Sequence, residues 1–232
     1  MKIVLSLLFG IAGLLMLGRA SANEIVLNSW EYYKTQEKEP IAVIRKQATQ
    51  ENQDAILTLG IINDRPSVPF LEHLAETPVL TDQELINKYP NRQKSRNLGT
   101  LKENSRRIRQ SASVAAKMAL TRMGARSYFD EFVVGLTTSS YEWKTTCIYA
   151  LGYSGDKRAL KFLGPMLTDK SDPPVPLGRD EDVAVVPYGS TSEAAIKFLM
   201  SDDERAAFQK EVMSDPEASR HWWERNKDKY IK

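Results

Sequence analysis

Apolar residues recur at three- and four-residue intervals through much of the chain, the spacing that places them on one face of an α-helix. Trp143, Thr146, Cys147, Ala150 and Leu151 fall at such positions, and Ala159, Phe162, Leu163, Met166 and Leu167 repeat the spacing after a short polar break. The preceding pair is built the same way. Ala112, Ala115, Ala116, Ala119, Leu120 and Met123 form one face, and Phe129, Phe132, Val133 and Leu136 the next. An earlier, weaker pair has Ala55, Ile56 and Leu59 before its break and Val68, Leu71, Leu74 and Ala75 after it. A later one has Ala194, Ala195, Phe198 and Leu199, then Phe208 and Val212. The pattern predicts helical hairpins throughout.

The breaks themselves align. Leu59-Gly60-Ile61-Ile62-Asn63-Asp64-Arg65 matches Leu120-Thr121-Arg122-Met123-Gly124-Ala125-Arg126 and Leu151-Gly152-Tyr153-Ser154-Gly155-Asp156-Lys157. The last two leucines are 31 residues apart and the first two 61, close to two such periods. A fixed period of this size marks a stacked repeat. Gly155 is suited to the positive φ that ends a helix. Asp156 and Asp64 are placed to cap the helices that follow, and Pro66 falls in a first helical turn, where its missing N–H costs little.

These units resemble HEAT-like repeats, in particular the short bacterial type also found in phycobilin lyases. The resemblance is strongest at Ala150-Leu151-Gly152-Tyr153-Ser154-Gly155-Asp156-Lys157-Arg158-Ala159 with Leu163, and it spans roughly residues 45–215. The second unit departs from the pattern, with Thr121 for the first glycine and Ala125 for the aspartate. The resemblance implies an all-α fold: a right-handed, armadillo-like solenoid of about four stacked hairpins, closed by a C-terminal helix bearing Trp222 and Trp223. Such repeats mostly serve as protein-binding surfaces, with second helices lining a concave side. That places Lys157, Arg158 and Lys161 as partner-binding residues. The alternative it implies, a chromophore-lyase-like enzyme, fits poorly with export and a single cysteine.

Residues 1–22 have a different character. Lys2 is followed by an uncharged apolar run over residues 3–17, and Ala20-Ser21-Ala22 supplies small residues for cleavage. This is the layout of a secretory signal peptide, which predicts export to the periplasm or beyond, with residues 23–232 as the repeat domain. The whole chain of 232 residues carries 32 lysines and arginines against 30 acids. Without Lys2 and Arg19 the two sides balance, so general nucleic-acid affinity is not expected.

Two insertions interrupt the periodicity, near residues 77–105 and 169–190. Between Lys88 and Arg109 lie eight basic residues with Glu103 as the sole acid. Arg106, Arg107 and Arg109 are therefore candidates for contact with an acidic partner or an anionic membrane or wall surface. The second insertion holds Asp169, Asp172, Asp180, Glu181 and Asp182 without the spacing of a calcium loop.

The chain carries one cysteine and two histidines, His73 and His221, too few for a thiolate or histidine zinc site. Cys147, on an apolar face, is expected to be a buried thiol, and His73 a partly buried structural residue. No phosphate-binding glycine loop or serine elbow occurs. The expectation is a monomeric module that binds another protein, without catalytic activity, cofactor or metal. Aromatic residues at both ends, Trp30, Tyr32 and Tyr33 and then Trp222, Trp223 and Tyr230, are expected to seal the core.

Overall fold

The computed structural model describes residues 40–78, 98–169, 187–212 and 217–231. The leader at 1–22, the aromatic group Trp30, Tyr32 and Tyr33, the basic residues Lys88, Arg92, Lys94 and Arg96, and the acids Asp172, Asp180, Glu181 and Asp182 lie outside these residues. The described residues form ten α-helices and no strand, so the protein is all-helical there. In order they are α1 Ile41–Thr49, α2 Gln53–Ile61, α3 Val68–Glu76, α4 Leu98–Arg122 and α5 Arg126–Gly135. Then come α6 Tyr141–Tyr153, α7 Leu160–Leu163, α8 Tyr188–Lys197, α9 Asp202–Val212 and α10 Ala218–Asn226.

Helix starts and stops follow local chemistry. Asn52 caps α2 by accepting from the Ala55 N–H at 2.9 Å, and Ser140 caps α6 through the Trp143 N–H at 3.3 Å. Ser201 and Glu204 form a reciprocal capping box at the start of α9. The three aligned turns share one backbone shape. Asn63, Gly124 and Gly155 occupy the same motif position, and all have positive φ, at 54°, 100° and 69°. Each donates its N–H to the carbonyl three residues earlier, on Gly60, Thr121 and Gly152 respectively. In the first two units the next N–H, of Asp64 or Ala125, reaches the carbonyl of Leu59 or Leu120, completing a Schellman motif. In the third, the Asp156 N–H turns to the Ser154 hydroxyl instead. The α1–α2 turn has the same two bonds, with Glu51 at φ 63°.

The two aspartates play different parts. Asp156 caps as its position predicts, accepting from the Arg158 N–H at 2.9 Å. Asp64 does not cap. Its buried carboxylate takes a two-point contact from Arg45 of α1, at 2.9 and 2.6 Å, and a bond from the Ser67 hydroxyl. An arginine within reach is a stronger donor than a backbone N–H, so Asp64 ties α1 to the turn before α3.

Packing proceeds mainly between near neighbours: α1 on α2, α2 and α3 on α4, α5 on α6, and α6 on α8. Close approach rests on the motif glycine. A Cβ on Gly60 would lie 2.7 Å from the Ala119 Cα, and one on Gly152 would lie 2.5 Å from the Ala195 carbonyl oxygen. The α2–α4 and α6–α8 contacts therefore repeat one glycine-on-alanine device. Between them, where Thr121 replaces the glycine, α4 and α6 meet less extensively. Tyr153 bridges this region: its hydroxyl donates to the Leu57 carbonyl of α2, while its own carbonyl accepts from Arg122 of α4 at 2.6 Å.

Several elements differ from the sequence reading. The first insertion ends earlier than residue 105, because α4 already begins at Leu98. Its N-terminal part is anchored by the buried Ser105 and by Arg109. The second helix of the third unit is broken: α7 is four residues long, between 3-10 turns at Lys157–Ala159 and Gly164–Thr168. Gly164-Pro165 accounts for the break, since proline cannot continue the helical bonding, and Gly164 admits the ring of Trp223 within 2.3 Å of where a Cβ would stand. Trp223 is buried and stacked with Tyr230, so the C-terminal aromatics do cover the core. Helix α6 is buried on several faces, with Ile148, Tyr149 and Tyr153 inside as well as Cys147. His73 is exposed rather than partly buried.

Candidate functional site

The looser α4–α6 junction leaves a cleft of about 410 Å³. Leu57 of α2, Val114, Ala115 and Met118 of α4, and Trp143 and Tyr149 of α6 make its walls apolar. Gln53, Gln110, Ser111, Ser140, Glu142 and Thr146 give it polar lining residues. Its volume lies within the range of ligand pockets, and clefts between helices are common places for them.

Each wall is held from behind. Trp143 packs against Phe132 of α5, ring centroids 6.1 Å apart. Gly135 makes room for this: a Cβ there would lie 2.9 Å from the Trp143 indole nitrogen and 2.2 Å from the Cys147 sulfur. Tyr149 is buried, and burial raises its phenol well above its ordinary pKa. It is a neutral wall at any physiological pH. Among the polar residues, Ser140 and Thr146 are engaged locally, with Ser140 on Trp143 and Thr146 on the Glu142 carbonyl. The amides of Gln53 and Gln110 and the hydroxyl of Ser111 make no hydrogen bond within the described residues.

Cys147 lies just behind Trp143 and is fully buried, as its apolar position predicts. Desolvation, with a smaller contribution from Glu131, pushes its thiol up to about 12. A thiol so held is not a nucleophile at neutral pH. Among the described residues there is no group of three or more histidine, cysteine or acidic side chains that would hold a metal ion.

The residues singled out as partner-binding are scattered. Lys157 reaches Glu204 of α9 at 3.0 Å, and Arg158 lies on Asp156 at 2.5 Å and over the Phe129 ring. Lys161 is exposed, its ammonium 4.7 Å from the Phe162 ring centre. These three share the segment from the first 3-10 turn into α7, whereas Arg106, Arg107 and Arg109 belong to α4. Arg106 and Arg107 are exposed, with Arg107 paired to Glu103 at 3.1 Å. Arg109 points inward, 2.9 Å from Glu51 and 3.3 Å from the Thr77 hydroxyl, and joins α4 to the α1–α2 turn and the end of α3. None of these residues lines the cleft, although Arg106 and Arg107 lie one helical turn from its lining residues Gln110 and Ser111 on α4. The cleft was hidden in the sequence because its walls come from three helices whose relative placement no single period records, although an off-face aromatic such as Tyr149 is a hint.

Compared with protein-family models, with curated proteins and with solved structures, the chain matches none of them. Among the described residues no helix is long and apolar enough to cross a membrane.

Proposed function

We propose that this protein is an exported, HEAT-like α-solenoid that acts as a protein-binding adaptor and carries out no chemistry of its own. The observation that carries the reading is the recurrence of one turn geometry at Asn63, Gly124 and Gly155, joined to the glycine-on-alanine contacts Gly60–Ala119 and Gly152–Ala195. Units built alike and packed in sequence order are the substance of a solenoid. Such an array presents long helix faces, and its value to a cell is surface. The apolar cleft supports binding, while the buried thiol of Cys147 and the paired charges of Asp156 and Glu204 have folding roles. Export follows from the leader pattern of residues 1–22.

The test is site-specific photo-crosslinking in the native host, with a benzophenone amino acid at Thr146, Lys161 or Arg107 in turn. A discrete crosslinked protein from at least one site is expected. The absence of any light-dependent product from all three, with the protein folded and abundant, would overturn the adaptor reading.

A second reading rests on α4, where the exposed Arg106 and Arg107 lie on one stretch of helix with Lys102. Contact with an anionic lipid or wall surface through this stretch predicts that reversing both arginines to glutamate weakens binding to phosphatidylglycerol vesicles at low salt. Unchanged binding removes it.

A further inference from the structure

The two C-terminal helices are joined to the array unevenly. Helix α9 packs principally on α10, and α10 in turn on the Gly164–Thr168 turn, while neither meets α6 or α8 as extensively. Among the described side chains of α9 only Phe208 is buried, and it meets Trp222 of α10 edge-on, ring centroids 5.0 Å apart. Arg225 of α10 pairs with Glu211 of α9. The two helices are therefore a unit of their own.

Three contacts fasten this unit to the helices before it. Trp223 seats its ring against Gly164, where a Cβ would stand 2.3 Å from two of the ring carbons. The Ser219 hydroxyl donates to Glu193 of α8 at 2.6 Å, and Lys157 reaches Glu204 at 3.0 Å. A half-exposed ion pair contributes little and a single part-buried hydrogen bond modestly. The buried indole therefore dominates the closure. Where α8 passes into α9 the tie is of another kind. Arg205 donates to the Lys197 and Met200 carbonyls at 2.9 and 3.1 Å, and Leu199 and Met200 are buried, so this joint supplies a pivot. Nor does α10 hold its shape unaided. It has nine residues and no side-chain N-cap, too little for an isolated helix to be stable.

We propose that α9 and α10 form a hinged cap, which closes the C-terminal end of the array by inserting Trp223 into the Gly164 notch and opens about the α8–α9 joint. Closed, the cap turns a charged face outward, with Asp202, Asp203 and Lys210 exposed, as the last member of a stacked array requires. Open, it bares the notch and the indole together. The motion belongs to the cap itself and does not depend on the adaptor reading.

The test is hydrogen exchange of the full chain, followed segment by segment in low denaturant. Amides of α9 and α10 are expected to exchange through one shared opening, faster than those of α6 and α8. Gly164→Ala drives a Cβ into the ring, and Trp223→Ala empties the notch. Each should raise exchange in both helices by about tenfold or more, while α6 keeps its protection. Lys157→Ala, which breaks the half-exposed ion pair, should raise it by about fivefold at most. Four results overturn the inference. The first is exchange in α9 and α10 of the parent protein as slow as in α6. The second is exchange graded from Tyr230 inward with α9 protected, the pattern of simple loosening at a chain end. The third is acceleration of α6 by the variants as large as that of the cap, which makes Trp223 part of one global core. The fourth is a larger effect from Lys157→Ala than from Trp223→Ala. The parent protein alone decides the first two, even where no variant folds.

Discussion

Gly152 of α6 and Ala195 of α8 are in backbone contact: a single added Cβ on the glycine would stand 2.5 Å from the Ala195 carbonyl oxygen and 2.8 Å from its Cα. Backbone cannot swing aside as a side-chain tip can. Gly152→Ala must therefore push α6 and α8 apart, at a cost of about 1–3 kcal/mol for overpacking. Urea denaturation should show a lower midpoint. Gly99→Ala supplies the control, because a Cβ there meets no atom within 4 Å. Its midpoint should be unchanged or slightly raised, since alanine is the better helix former.

Tyr153 should behave as a strut. Its hydroxyl is buried against the Leu57 carbonyl, and its carbonyl holds Arg122. Tyr153→Phe keeps the ring, including its contact with the Arg122 guanidinium, and removes only the hydroxyl. A loss of about 1 kcal/mol is expected, with helical circular dichroism unchanged. A neutral result would mean that this bond contributes little beyond packing.

The thiol of Cys147 links stability to alkaline pH. Its proton leaves near the ordinary 9.0 in the unfolded chain but near about 12 in the folded one. Between those values the unfolded state binds fewer protons and is favoured as pH rises. The stabilisation is complete below pH 9.0 and is lost toward about 12. Cys147→Ala should flatten the decline in denaturation midpoint over that window relative to the parent protein. At neutral pH the parent thiol should react with a disulfide reagent only after denaturant is added.

Asp64 gives the acid counterpart. Arg45 and the Ser67 hydroxyl hold its carboxylate below the usual carboxylate range, with the Arg45 bond the larger cause. The contribution is present above the unfolded pKa of 3.8 and fades as pH falls through the lower folded value. Asp64→Asn keeps the size and loses the charge. It should cost about 1.5–3 kcal/mol at neutral pH, the range for hydrogen bonds to charged groups, and the gap between mutant and parent should narrow toward pH 2. Arg45→Met leaves the buried carboxylate with Ser67 alone and should destabilise at neutral pH too.

The turns were the most legible part of the fold, because their chemistry is local. Gly155 and Asp156 can be read from neighbours alone, and both behave as their types dictate. Asp64 has the same local credentials and a different role, since Arg45, nineteen residues away, outcompetes the backbone N–H for its carboxylate. The break at Gly164 has the same kind of cause: Pro165 is visible in the sequence, but the need for Trp223 to lie against that glycine is not. In α4 a charged N-terminal half read as insertion, because Arg109 looks solvent-bound until Glu51 and Thr77 are placed around it. The cleft was the least legible feature. Gln53, Val114 and Tyr149 become neighbours only when α2, α4 and α6 converge.

Tyr153 also bears on how the molecule comes apart. An array whose members touch only the next in line can fray from one end, shedding a hairpin at a time. The bond from Tyr153 to Leu57 skips over α4 and closes a loop 96 residues long in sequence. Melting α2 therefore strips a bond from α6, and the two ends of that loop resist unravelling as a single cooperative block.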